Sequence, residues 1–166
     1  MNVLWVYFWP AFAAGLAVGV ITGTIGFRRR SRRNAALALG VFVSLALAAL
    51  WHGPLGAADR FSGRVERDAR SALNYYEMNK VSAHLHHGPL TRRLVLAGPA
   101  DDFQTSELAR LFSQLPGVSR AQWGPTPAGP PLILEGFGVA IAGFLLGLLL
   151  AYLIELHRRY NAQWTW

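Results

Sequence analysis

Three long apolar runs constrain the fold of this chain more than any other feature of its sequence. Val3 to Phe27 and Ala35 to Trp51 contain no charged residue, and Leu132 to Ile154 contains only Glu135. Each run approaches or exceeds the roughly 20 residues that a helix needs to cross the hydrocarbon core of a bilayer. Because backbone polar groups find no water inside a bilayer, a segment that crosses it must be helical. The sequence therefore predicts an α-helical membrane protein with three transmembrane helices.

Arginine residues predict the orientation of these helices. A dense cluster separates the first two runs, and Arg158 and Arg159 follow the third. Short arginine-rich loops stay on the cytoplasmic side of a membrane. We therefore expect a multi-pass protein of the inner (cytoplasmic) membrane of a Gram-negative bacterium, with a periplasmic N-terminus and a cytoplasmic C-terminus. The clustered arginines, which also attract anionic lipid headgroups, are Arg28, Arg29, Arg30, Arg32 and Arg33.

The same pattern divides the chain into segments. Nothing basic precedes Trp5, so the first apolar run is expected to be a retained helix and not a cleaved signal peptide. The predicted segments are transmembrane helix 1 at 1–27, the arginine-rich loop at 28–34, transmembrane helix 2 at 35–55, a periplasmic domain at 56–123, a Pro/Gly linker at 124–131, transmembrane helix 3 at 132–156 and a cytoplasmic tail at 157–166.

The periplasmic segment shows the periodicities of a small α/β domain. Residues 61–77 place apolar side chains, among them Phe61, Val65 and Tyr76, at helical spacing. Residues 81–86 and 92–97 alternate as half-buried strands do. Asp101 with Gln104 predicts the capped start of a second helix, and residues 118–123 predict a third strand. The predicted order is helix, strand, strand, helix, strand.

Part of this segment resembles a known family. Leu94-x-Leu96-x-Gly98, then an amphipathic helix, then Leu115-Pro116-Gly117-Val118 and a closing strand, is similar to a BON domain over about residues 64 to 123. The resemblance implies an α-β-β-α-β module of the bacterial envelope with turns at Gly98, Pro116 and Gly117. It also implies binding to lipid surfaces or to other proteins, and no catalytic residues.

Two sets of ionisable residues are candidates for chemistry. His84, His86 and His87 lie on or beside the first predicted strand, where two of them share a face and are weak candidates for metal ligands. The alternatives are a proton-sensitive interface or a plain polar strand face. Glu135 is an intramembrane carboxylate, and such residues are often functional. It also lies near a helix N-terminus, where a capping or partner-pairing role suits a negative charge.

Small residues recur every fourth position in two of the apolar runs. Gly15, Gly19 and Gly23 form one stripe, and Gly143 and Gly147 form another. Such stripes let membrane helices approach closely, so both are predicted helix-packing surfaces. They pack either against each other within one chain or against another subunit, which includes a second copy of this chain.

Composition excludes several other functions. The chain has no cysteine, so thiolate metal sites and covalent haem attachment are excluded. The net charge of +7 comes mainly from the seven cytoplasmic arginines, so we expect no nucleic-acid partner. No pattern of catalytic residues appears, and we expect neither an enzyme nor a cofactor. Bound lipid is expected, and contact with a pigment or quinone, through His52 or His157, stays open.

These observations favour a non-catalytic accessory or scaffold subunit of a larger inner-membrane protein complex, with a respiratory or photosynthetic complex as the first host to consider. One alternative is a free-standing envelope module whose BON-like domain binds lipid or peptidoglycan. Another is a small channel or transporter subunit that self-associates as a homo-oligomer through Gly15, Gly19 and Gly23.

Overall fold

The computed structural model describes residues 2–125 and 129–162 of this 166-residue chain. Its helices are α1 (Val3–Arg28), α2 (Arg33–His52), α3 (Ala57–Tyr75), α4 (Asp102–Phe112) and α5 (Leu132–Ala162). Its strands are β1 (Ser82–His87), β2 (Leu90–Ala97) and β3 (Arg120–Trp123), and a 3-10 helix, Arg30–Arg32, connects α1 to α2. Helices α1, α2 and α5 are long and apolar enough to cross a membrane, which confirms that part of the prediction.

Two helix ends differ from those predicted from the apolar runs. Helix α2 ends at His52 and not at 55, because Gly53 and Pro54 follow and proline cannot continue a helix. Helix α5 continues beyond the predicted end at 156 as far as Ala162. Arg158 and Arg159 donate hydrogen bonds back to Glu155, and such pairs stabilise helical turns outside an apolar run. Residues 163–166 of the predicted tail lie outside the described part of the chain.

The chain forms two compact units. The unit that we call the sheet unit contains the chain up to Tyr7 together with Gly56–Glu135, and so includes the first turns of α1 and α5. The unit that we call the helix unit contains Phe8–Leu55 and the described residues from Gly136 onward.

The sheet unit is built on three strands in the order β1-β2-β3. Strands β1 and β2 are antiparallel, with Leu85 opposite Leu94, and β2 and β3 are parallel, with Leu94 opposite Ala121. This register puts Ala83 and Leu85 of β1, Leu94 and Leu96 of β2, and Ala121 of β3 on one buried face, because alternate residues of a strand share a face. Thr91 of β2, which is also buried, lies beyond the register irregularity and outside this alternation. The order helix, strand, strand, helix, strand is the one predicted from the sequence.

Helices α3 and α4 supply the other half of the core of the sheet unit. The face of α3 that is buried carries Phe61, Val65, Ala69 and Leu73, and α4 contributes Leu108 and Phe112. The predicted capping box of α4 is confirmed, since the Asp101 carboxylate accepts a hydrogen bond from the Gln104 backbone N–H at 2.7 Å. The isolated antiparallel bridge between Thr91 and Pro131 ties the segment before α5 to β2.

The prediction that Tyr76 lies on the buried face of the first helix after the second apolar run was wrong. Helix α3 ends at Tyr75, and Glu77 then adopts a positive φ of 58°. Helical spacing predicts the face on which a side chain lies only for residues within the helix, and Tyr76 follows its last residue. The Tyr76 side chain is therefore 46% exposed.

The helix unit is a bundle of α1, α2 and α5. Ala11, Ala48 and Ala140, one from each helix, form a buried layer against which Trp51 and Phe137 pack. Successive glycines of α1 meet successive residues of α5, from Gly15 with Ala140 to Gly19 with Phe144, so α1 and α5 run parallel.

Candidate functional site

The two glycine stripes contact each other within the chain. A Cβ atom added at Gly15 would overlap the backbone oxygen of Ala140, and one added at Gly19 would overlap that of Phe144. In the reverse direction, a Cβ at Gly143 or at Gly147 would overlap a backbone oxygen of α1. Helices α1 and α5 therefore touch backbone to backbone over two turns. The contact has the geometry by which small residues bring membrane helices together.

Helix α2 joins this contact through a third stripe of small residues that the sequence analysis missed. Gly40, Ser44 and Ala48 are the buried residues of α2 and recur every fourth position. A Cβ at Gly40 would lie 2.7 Å from the Phe144 ring and 2.8 Å from the Thr22 hydroxyl oxygen. The same spacing that identified the glycine stripes identifies this one, provided that serine and alanine are counted as small residues.

Basic residues gather around one buried carboxylate at the end of the helix unit. Glu155, which the sequence analysis also missed, is 9% exposed and accepts hydrogen bonds at 3.1 Å from Arg158 and from Arg159. Arg28 lies 3.9 Å from the other oxygen of Glu155. The end of α1 and the end of α5 are thus on the same side of this bundle, and the two predicted cytoplasmic arginine clusters meet there.

The remaining arginines of the loop differ in their surroundings. The Arg33 guanidinium lies 5.9 Å from the centre of the Phe27 ring. Arg29 and Arg32 are exposed. Only the backbone of Arg30, within the 3-10 helix, is described.

Glu135 pairs with a strand of the sheet unit. Its carboxylate accepts a hydrogen bond of 2.9 Å from Arg92 of β2, and the Arg92 Nε–H donates to the Gly117 carbonyl oxygen at 3.1 Å. Both members of the pair are about three-quarters buried, so this ion pair is screened less than a surface pair. This ion pair joins the first turn of α5 to β2.

The three histidines do not converge on one point. His84 is exposed on β1, the His86 ring lies 3.1 Å from the Pro89 carbonyl oxygen, and the His87 ring lies 3.0 Å from Glu66. The Glu66 carboxylate also accepts the backbone N–H of Leu85 at 2.9 Å. Within residues 2–125 and 129–162, no three His, Cys, Asp or Glu side chains form a group that could hold a metal ion.

Two of the predicted domain turns depend on glycine. Gly98 has a φ of +140° and Gly117 a φ of +101°. A Cβ at Gly117 would also lie 2.8 Å from the Val65 side chain. Pro116, which precedes it, is exposed.

Aromatic side chains of the sheet unit fall into buried and exposed groups. Tyr7 is buried and its ring packs 5.7 Å from that of Phe61. In contrast, Tyr75 is 82% exposed and Phe103 is 74% exposed. The Tyr75 and Tyr76 rings stack edge to face at 5.3 Å. Aromatic side chains are enriched in protein–protein interfaces relative to the rest of a protein surface.

Two further side-chain contacts each join residues within one helix. On α4, the side-chain hydrogen bonds from Arg110 to Glu107 raise the pKa of Arg110 above its ordinary value. His157, one of the two histidines considered as a cofactor contact, lies 3.0 Å from the Asn161 side chain.

Comparison with known proteins identifies no relative. No family model matches the chain, and neither the curated proteins nor the solved structures include a match.

Proposed function

We propose that this chain is a non-catalytic accessory subunit of a larger assembly in a bacterial inner membrane. The observation that carries the proposal is the exposure of Tyr75 and Phe103 on the sheet unit. Aromatic side chains are enriched in protein interfaces, and leaving such rings in water has an energetic cost that a partner surface removes. A respiratory or photosynthetic complex is the first host that we would test.

The proposed topology has the sheet unit in the periplasm and the arginine-rich end in the cytoplasm. Its support is that Arg28 and the Arg158–Arg159 pair gather around one carboxylate, Glu155, so that both arginine clusters share one end of the helix unit. Arginine-rich loops are retained in the cytoplasm.

We also propose that the sheet unit is a BON-like module. The order of its elements and the buried Leu94 and Leu96 of β2 support this resemblance. Such a module offers a partner its exposed side chains and needs no catalytic group.

The arrangement of the glycine stripes changes where a partner would dock. Gly15, Gly19 and Gly23 face α5 of the same chain, so the surface on which the self-association alternative depended is already occupied. The partner would instead contact the outer faces of the helices and the sheet unit. Phe42 of α2, for example, is 70% exposed.

The test compares co-purification of three single variants from native membranes in mild detergent. We expect Tyr75→Ser and Phe103→Ser to lose the co-purifying proteins. We expect Arg67→Ser, a control at an exposed position of α3, to retain them. Retention of the same proteins by all three variants would contradict the proposed docking surface. The absence of any stoichiometric partner with the unaltered chain would contradict the accessory-subunit function itself.

A further inference from the structure

A pocket opens in the helix unit where the ends of its three helices meet. Its volume is about 500 Å³. Helix α1 contributes Gly26 and Phe27, and α2 contributes Arg33. The rest of the lining comes from α5 and consists of Tyr152, Glu155, Leu156 and Arg159.

The charge in and around this pocket is strongly positive. Arg33 and Arg159 line it, and Arg28 and Arg158 stand beside Glu155. Three guanidinium groups, those of Arg28, Arg158 and Arg159, lie 3.1 to 3.9 Å from the Glu155 carboxylate. Arg33 adds a fourth positive charge to the pocket lining, so the total exceeds what Glu155 neutralises. The uncompensated charge favours an anion.

The Arg159 guanidinium has further N–H donors besides the one that binds Glu155. Its Nε–H donates to Glu155 at 3.1 Å, which fixes the guanidinium at the wall of the pocket. An arginine carries five N–H donors in a planar fork, a geometry that suits the oxygens of a phosphate.

The start of α2 adds to the positive potential. Arg33 is the first residue of α2, and the side chain of the preceding residue, Arg32, does not cap the helix. The first N–H groups of a helix lack partners within the helix, and the helix dipole makes this end attractive to anions.

The other walls of the pocket are apolar. The Phe27 and Tyr152 rings pack edge to face at 5.8 Å, and Leu156 of the next turn is 50% exposed. A pocket that combines guanidinium groups with an apolar wall on transmembrane helices fits an amphiphile better than a free ion. Basic pockets between transmembrane helices bind the headgroups of anionic lipids in this way.

We propose that this pocket binds one anionic phospholipid. The phosphate lies between Arg33 and Arg159, and the acyl chains follow the apolar surface at Tyr152 and Leu156. This site differs from general attraction of lipid to the arginine cluster, because it depends on two particular arginines from different helices. Arg29, which is in the same loop but does not line the pocket, provides the matched control.

The test is native mass spectrometry of the purified full chain in neutral detergent, titrated with phosphatidylglycerol or with phosphatidylcholine of the same acyl chains. We expect one phosphatidylglycerol to bind in preference to phosphatidylcholine. We expect Arg33→Gln and Arg159→Gln each to weaken its binding about fivefold, as expected for loss of one arginine near an anionic lipid. We expect Arg29→Gln to leave it unchanged.

Three results would overturn the proposal. The first is equal binding of phosphatidylglycerol and phosphatidylcholine. The second is a loss of phosphatidylglycerol binding in Arg29→Gln as large as in the two pocket variants. The third is displacement of phosphatidylglycerol by inorganic phosphate at the same concentration, which would indicate a simple anion site. Circular dichroism establishes that each variant is folded. If Arg159→Gln unfolds the bundle by freeing Glu155, Arg33→Gln decides the outcome alone, because the Arg33 guanidinium contacts the Phe27 ring and, among the described residues, the ion pairs of Glu155 are with Arg28, Arg158 and Arg159.

Discussion

The sharpest prediction concerns the backbone contact between α1 and α5. Gly19→Ala adds one methyl group at the point where α1 meets the Phe144 backbone, and this methyl carbon would also lie 3.1 Å from the Gly147 Cα atom. Neither obstacle is a flexible side chain, so the two helices must separate to accept the methyl group. Gly138→Ala, on α5, is the matched control, because nothing lies within 4 Å of a Cβ atom there.

The expected magnitude follows from this difference in surroundings. Adding a methyl group to a closely packed contact costs about 1–3 kcal/mol in the free energy of unfolding. We therefore expect Gly19→Ala to destabilise the helix unit by about 2 kcal/mol, close to a 30-fold change in the ratio of folded to unfolded protein. At Gly138 the backbone adopts ordinary helical geometry, and alanine favours a helix over glycine by about 1 kcal/mol or less. Gly138→Ala should be neutral or slightly stabilising.

The assay is unfolding of each purified variant in mixed micelles by increasing the fraction of a denaturing detergent, followed by circular dichroism. A lower midpoint for Gly19→Ala alone would support the packing described here. Equal midpoints for Gly19→Ala and Gly138→Ala would refute it. Gly19→Leu should disrupt the chain's own bundle whether or not a partner is present, so that variant does not by itself test assembly with a partner.

Three further experiments test the sheet unit, each by equilibrium unfolding. Glu135→Gln and Arg92→Met, combined in a double-mutant cycle, should give a coupling energy of about 1–3 kcal/mol because the pair is mostly buried, and additive effects would contradict the pairing. Asp101→Ala should cost about 1 kcal/mol through loss of the cap of α4, while Asp101→Asn should cost less because asparagine also caps. Gly117→Ala should cost more than Gly124→Ala, since both have positive φ but only Gly117 faces packed side chains, and equal costs would rule out the steric contribution.

The features best predicted from the sequence are those that depend on residues close together in the chain. Apolar runs located α1, α2 and α5, and the Asp101–Gln104 spacing located the start of α4. The glycine stripes were visible for the same reason, since a repeat of four residues defines a helix face. The stripe of Gly40, Ser44 and Ala48 on α2 was not predicted, because it contains only one glycine.

The features that escaped sequence analysis depend on long-range contact. Arg92 and Glu135 meet because the first turn of α5 belongs to the same compact unit as β2, and nothing in the separate segments pairs them. The exposure of Tyr76 depends on where α3 stops, which the turn at Glu77 decides. Glu155 is a partial exception. Arg158 and Arg159 follow it by three and four residues, a spacing that predicts ion pairs on a helix from the sequence alone.

The most direct test of the central claim is extraction of the native membrane in mild detergent, followed by size separation and identification of the proteins that travel with this chain. An accessory subunit should migrate within a large complex of fixed composition, at a constant ratio to the other subunits. Migration alone, near the mass of one 18.2 kDa chain plus detergent, would contradict the proposed function.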